Sequence, residues 1–242
     1  MPETSKTILI LGANSDVAKQ CILQYTGKGF TVLAASRDLI SLQDFIKRNR
    51  LENRVQVIFF DAADFSSHQK FHEDLEAKPH IVVYAAGFLK QNSEAVNNFD
   101  DAFQMMKVNY AGAVSILNII ANDRTNKNLE RIIGLSSLSG VRGRKSNYIY
   151  GSTKAAFIAY LSGLRQDLSS GNIVVNVLVS GYISTKINEG LSLNKSLMME
   201  PGYVAKHIVN AGNSFTIVPN WKWKIIYWIL KLSPEFLVAK LP

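Results

Sequence analysis

The sequence predicts one α/β domain whose strands form a parallel sheet. Its 242 residues, 47% of them apolar, suit one large domain with a substantial core better than two small ones. Short apolar runs that read as buried parallel strands alternate with helical stretches. Glycines gather near strand ends, and no Pro/Gly/Ser-rich linker, low-complexity tract or internal repeat divides the chain.

The first strand is Thr7-Ile-Leu-Ile-Leu11. Gly12-Ala-Asn-Ser-Asp-Val-Ala18 follows, then an amphipathic helix to about Lys28. Strand, small-residue turn and helix is the setting a dinucleotide-binding motif requires. Gly12 permits the tight turn, and the backbone N–H groups at the helix start, around Asp16 and Val17, favour a pyrophosphate. Asn14 and Ser15 add side-chain donors, and either can cap the helix. A plain strand-to-helix turn is the competing reading, because Asp16 and Ala18 stand where glycines are usual.

The second strand, Thr31-Val-Leu-Ala-Ala-Ser36, ends in Ser36-Arg37. An acidic residue at that place would hold the free 2′-hydroxyl of NAD. Arg37 instead offers a fork of donors suited to the 2′-phosphate of NADP, so NADP(H) is expected over NAD(H). The third strand, Val55-Gln-Val-Ile-Phe-Phe60, closes on Asp61-Ala62, where a carboxylate can accept a bond from the adenine amino group.

Farther along, Tyr150 and Lys154 stand one helical turn apart in Tyr150-Gly-Ser-Thr-Lys154, and Ser137 lies thirteen residues upstream. Residues i and i+4 share a helix face, so the ammonium can lie beneath the phenol. A fixed positive charge favours phenolate and is expected to lower the Tyr pKa from its ordinary value near ~10. That moves it toward the range useful for acid catalysis. The Ser hydroxyl can then hold a carbonyl oxygen. Tyr-x-x-x-Lys alone is a weak signal, common on surface helices.

In this order the motifs resemble the short-chain dehydrogenase/reductase family from Thr7 to about Ile217. Tyr84-Ala85-Ala86-Gly87 stands where an Asn-Asn-Ala-Gly turn is usual. Asn109 matches the helix asparagine that holds a proton-relay water. Ser137, Tyr150 and Lys154 match the catalytic set. Ser180-Gly181-Tyr-Ile183-Ser-Thr185 matches the segment beside the nicotinamide, and Met199 to Ala205 looks like the opening of the last long helix. The resemblance implies a doubly wound (Rossmann) parallel sheet of seven strands, near 7–11, 31–36, 55–60, 80–84, 130–136, 172–179 and 214–218, within a domain spanning 1–219. It also implies a cofactor contacted by Ala85, Ala86, Gly87, Gly181, Ile183 and Thr185, no metal, and a homodimer or homotetramer. Ser180 replaces a proline and Ala85 an asparagine, which loosens those two segments. Residues 185–199 read as a lid.

The tail 220–242 is unusual. It holds all three tryptophans, Trp221, Trp223 and Trp228, with interleaved lysines. It is too short and too interrupted, by Lys231 and Pro234, for a span of ~20 apolar residues. Its composition suits a helix in a membrane interface, and the competing reading is a tail packed on the neighbouring subunit or over the substrate pocket. A nucleic-acid surface is not expected, because the net charge of +8 forms no wide Lys/Arg stripe. The tail and Ile10 to Ala18 resemble, more loosely, the branch containing the keto-reductase subunit of decaprenylphosphoryl-ribose epimerase. That implies a keto group on a large, lipid-linked substrate. A soluble carbonyl such as a 3-oxoacyl thioester, or a non-catalytic NADP-binding role, are the alternatives. The opening Met-Pro-Glu-Thr-Ser-Lys lacks a signal-peptide apolar region, so a cytoplasmic place at or near the inner membrane face is expected. Cys21 is the only cysteine, and its neighbours Val17, Ala18, Ile22 and Tyr25 place it in the core.

Overall fold

The computed structural model describes residues 5–185 and 194–239. The apolar runs form β1 (Thr7–Leu11), β2 (Thr31–Ser36), β3 (Val55–Phe59), β4 (Ile81–Tyr84), β5 (Arg131–Ser137), β6 (Val174–Ser180) and β7 (Thr216–Ile217). All pair in parallel in the order β3-β2-β1-β4-β5-β6-β7. The chain winds outward through β2 and β3, then returns to place β4 on the other side of β1. The carboxyl ends of β1 and β4, at Leu11 and Tyr84, therefore flank the switch point where such sheets bind ligands.

The helices are α1 (Asp16–Gly27), α2 (Leu39–Arg48), α3 (His68–Glu73), α4 (Asn92–Ala95), α5 (Phe99–Met106), α6 (Gly112–Asn122), α7 (Tyr148–Leu168), α8 (Pro201–Val209), α9 (Trp221–Leu232) and α10 (Glu235–Val238). They cover both sides of the sheet, which is why β1 and most of β2, β4 and β6 are buried throughout rather than in alternation. α1 packs on α8, while α7 packs on β5, β6 and α6. Cys21 is fully buried in α1, among the neighbours expected of it.

Three elements depart from the sequence reading. β3 stops at Phe59; the Phe60 N–H makes the last bond of the β2–β3 ladder, to the Ser36 carbonyl at 3.1 Å, before the loop at Asp61. β7 has only two residues. Between α5 and α6 the helix widens into a π-turn over Lys107–Ala111, a feature frequent at functional sites, and Asn109 lies within it. Most of the 185–199 lid reading falls on residues 186–193, outside the described residues. Its ends are pinned, with the Ser184 N–H on the Met199 carbonyl at 2.9 Å and the Met199 N–H on that of Tyr182 at 3.0 Å.

Candidate active site

A cavity of about 1180 Å³ opens along the carboxyl ends of the strands. That exceeds the ~300–1,000 Å³ of a typical small-molecule site, leaving room for a dinucleotide and a second reactant. Gly12, Asn14, Ser15, Asp16 and Val17 line one end, with Ser36, Arg37, Asp61 and Ala62 beside them. Ala85, Ala86 and Gly87 lie at the centre. Ser137, Tyr150, Lys154, Gly181, Ile183 and Thr185 line the other half. Of the expected site residues only Asn109 stands off the wall.

The turn after β1 is built for a close approach. Gly12 has φ +83°, and a Cβ there would lie 2.3 Å from the Ala86 nitrogen. No other residue allows both that conformation and that contact. The N–H groups of Gly12 and Ala13 both bond the Ala35 carbonyl at 2.9 Å, which ties the turn to β2. Ser15 caps α1 by accepting from the Ala18 N–H at 3.2 Å. Ala18 is itself buried against the core, so the helix keeps its seat without the usual glycine.

Asn14 reaches sideways instead. Its amide donates to the Ser36 Oγ at 2.9 Å and the Asp38 carbonyl at 2.6 Å. Asp38 caps α2 by accepting from the Ser41 N–H and does not line the cavity. Arg37 is thus the charged side chain that the end of β2 presents to the cavity. Asp61 accepts from the Ala63 N–H at 2.9 Å and holds its own loop.

Ser137, Tyr150 and Lys154 converge across β5 and α7. The Ser137 side chain hydrogen-bonds Tyr150, and its Oγ accepts from the Ser139 N–H at 3.2 Å. Lys154 Nζ donates to the Leu135 carbonyl at 3.2 Å and lies 5.7 Å from the centre of the Tyr150 ring. Behind them the Asn109 amide donates to the Phe88 carbonyl at 2.8 Å and to Thr153 Oγ1 at 3.1 Å, and its oxygen accepts from the Phe88 N–H at 2.8 Å. Both of its hydrogens are therefore committed to joining the π-turn, α7 and the Gly87–Phe88 strand end.

The ionisation balance differs from the spacing argument. Burial pushes the Tyr150 phenol up to about 12, and the bond to Ser137 only partly offsets it. Burial also pushes the Lys154 ammonium down to about 8. Taking either charged form out of water costs more than the neighbour returns. The lysine here donates to a carbonyl rather than to the phenol, so it does not draw the phenol toward neutrality.

The C-terminal tail packs over this cavity, as the competing reading of it expected. Trp223, Tyr227 and Leu230, spaced four and three apart, form the buried face of α9, and Trp223, Ile226 and Leu230 line the cavity. Gly181 makes room for it, since a Cβ there would lie 2.1 Å from the Trp223 ring. The Trp223 indole N–H donates to the Leu197 carbonyl at 2.9 Å, and the ring packs edge-on against Tyr182. The i, i+4, i+7 pattern was the available signal for this inner face. Lys90, Arg144 and Lys145 also line the cavity, and no motif marked them.

The family model described as short chain dehydrogenase matches residues 6–196. The chain belongs to that family. It is an oxidoreductase of the family by its relatives as well. An uncharacterised oxidoreductase of Mycobacterium tuberculosis is 25% identical over 243 residues, 97% of this chain and 96% of that protein. A 3-oxoacyl-[acyl-carrier-protein] reductase of Aggregatibacter actinomycetemcomitans is 26% identical over 204 residues, covering 81% and 84%. Among solved structures, a short chain dehydrogenase from Burkholderia cenocepacia in complex with NADP superposes with TM-score 0.84 at 17% identity, covering 98% of this chain and 97% of that one. One from Sphingobium yanoikuyae in complex with NADPH gives 0.81 at 18%, covering 98% and 96%. At these identities the structures establish the fold.

Proposed function

We propose that the chain is an NADPH-dependent reductase of a keto group. The observation that carries this reading is the convergence of Ser137, Tyr150 and Lys154 on one half of a cavity whose other half pairs the Gly12 turn with Arg37. The residues fit the cofactor. The tight Gly12 turn and the start of α1 suit a pyrophosphate, Arg37 suits a 2′-phosphate, and Asp61 suits the adenine. Gly181, Ile183 and Thr185 would flank the nicotinamide. When bound, NADPH supplies the hydride that reduces the carbonyl carbon. Ser137 holds the carbonyl oxygen by its hydroxyl, and Tyr150 gives its proton to that oxygen as negative charge develops. Lys154 adds positive charge beneath the phenol and a donor to the cofactor ribose. Asn109 holds the π-turn in place and, by resemblance, supports the water that resupplies the proton.

A pH dependence follows. Only the ammonium form of Lys154 carries the positive charge, and it loses its proton as pH rises through about 8. Tyr150 stays protonated to about 12. The kcat/KM for reduction is expected to hold level below pH 8 and to fall about ten-fold per unit above it. A profile that stays level through the range in which Lys154 deprotonates would remove the lysine charge from the mechanism.

We further propose that the substrate is lipid-linked and met at a membrane surface. Trp221, Ile225, Trp228, Ile229 and Leu232 on the outer face of α9 are each more than half exposed, on the helix whose inner face walls the cavity. Lys224 and Lys231 flank them and can reach lipid phosphates. No helix among the described residues is long and apolar enough to cross a membrane. Co-sedimentation with phosphatidylglycerol vesicles is expected for the wild type and lost in Trp228→Glu/Ile229→Glu, with NADPH binding unchanged. Wild-type protein left in the supernatant would discard the membrane reading. A soluble 3-oxoacyl thioester would then lead, as the 3-oxoacyl reductase relative suggests. Gel filtration of the same variant separates a further case, in which this face joins two copies in a homodimer or homotetramer.

A further inference from the structure

The half of the cavity that holds Tyr150 is bounded by two unlike walls. One is apolar, made by Trp223, Ile226 and Leu230 of α9. The other is basic, made by Lys90, Arg144 and Lys145, which sit on either side of the first turn of α7. Two bonds fix this arrangement. The Ile149 N–H donates to the Asn92 side chain at 3.3 Å and ties the Lys90 segment to the residue before Tyr150. Arg142 donates to the Ser233 carbonyl and lies 3.7 Å from Glu235, which fastens the Arg144 loop to the end of α9.

Among the described residues, Arg144 and Lys145 lack the carboxylate partners that would explain them as structure, unlike the cations around them. Arg142 has its carboxylate, and Lys90 has Glu94 at 3.5 Å. Arg144 makes one bond, to Ser139 Oγ at 3.2 Å, shared with the Asn147 amide at 2.9 Å. Its Nε is buried without a partner among the described residues, as is the side-chain amide oxygen of Asn147. The acids among the described lining residues, Asp16 and Asp61, stand with the Gly12 and Arg37 group. A guanidinium with a buried, unused N–H beside a second cation is suited to an oxyanion with several acceptors.

We propose that Arg144 and Lys145, supported by Lys90, form a phosphate subsite for the substrate. The substrate class is a phosphate ester whose apolar part lies along Trp223, Ile226 and Leu230 and whose keto group reaches Tyr150. The keto portion of this statement rests on the reductase reading above, whereas the phosphate portion does not. The same chemistry occurs in a lipid phosphate and in a phosphopantetheine thioester.

Calorimetric titration tests it, with NADPH present in excess so that the cofactor half does not compete. The probes are n-octyl phosphate against n-octanol, and pantetheine 4′-phosphate against pantetheine. At least one phosphorylated member is expected to bind about ten-fold or more tightly than its neutral partner. In Arg144→Gln/Lys145→Gln that gap closes. Lys145→Gln alone, an exposed change that leaves folding intact, narrows it. The favoured pair identifies the source, lipid or thioester carrier. Equal binding of both members of each pair, no binding of any probe, or a gap unchanged in the folded double variant would overturn the subsite. Loss of the reductase reading would look different: the phosphate gap would persist while no carbonyl compound oxidised NADPH.

Discussion

Replacing Tyr150 by Phe is expected to lower turnover by ~10²–10⁴-fold, the usual worth of a positioned proton donor. The phenyl ring fills the same space at the start of α7, so the helix and the cavity wall stay in place. What disappears is the hydroxyl that bonds Ser137, the proton donor of the proposed reaction. Because Tyr150 keeps its proton far above neutrality, its service is as a ready donor rather than as a phenolate. Affinity for NADPH is expected to stay near that of the wild type, since the Gly12 turn and Arg37 are untouched. Single-turnover kinetics with a fluorescence titration of NADPH separate the two quantities. Wild-type-like turnover in the variant would transfer the proton to another group and overturn the assignment.

Arg37→Asp is expected to weaken NADPH binding by about 30–100-fold, from the loss of a charge-assisted pair worth ~1.5–3 kcal/mol and the gain of a repulsion. NADH, which has no 2′-phosphate, is expected to change little or to bind better, because a carboxylate at the end of β2 suits a ribose hydroxyl. Arg37 is exposed and Asp38, not Arg37, caps α2, so the substitution leaves the fold intact. Dissociation constants for both nucleotides decide the matter. An NADPH constant equal to that of the wild type would free Arg37 from its role.

Much of this molecule was legible because its signals are local. Thr7–Leu11, Thr31–Ser36 and the runs after them are apolar on both faces, which only a sheet covered on both sides requires, and all seven strands lie within two residues of expectation at each end. Gly12 was legible because a tight turn after a buried strand demands it. Tyr150, Lys154 and Ser137 were legible through helical spacing and motif order. What escaped depends on the path of the chain in space. Arg144 and Lys145 reach the cavity because Arg142 anchors their loop to Ser233, ninety-one residues away. The inner face of α9 acquires its purpose from the gap left at Gly181. The ionisation of Tyr150 and Lys154 is set by burial, a tertiary property, and it reversed the balance that i, i+4 proximity suggested. Asn109 gave a family signal, but only the structure reveals that its amide is spent on Phe88 and Thr153.

The most direct test of the central claim is a side-by-side titration of the purified wild-type protein with NADPH and NADH, followed by nucleotide fluorescence. The arrangement of the Gly12 turn with Arg37 predicts NADPH binding at least about ten-fold tighter than NADH. Equal affinity, a preference for NADH, or binding of neither would contradict it.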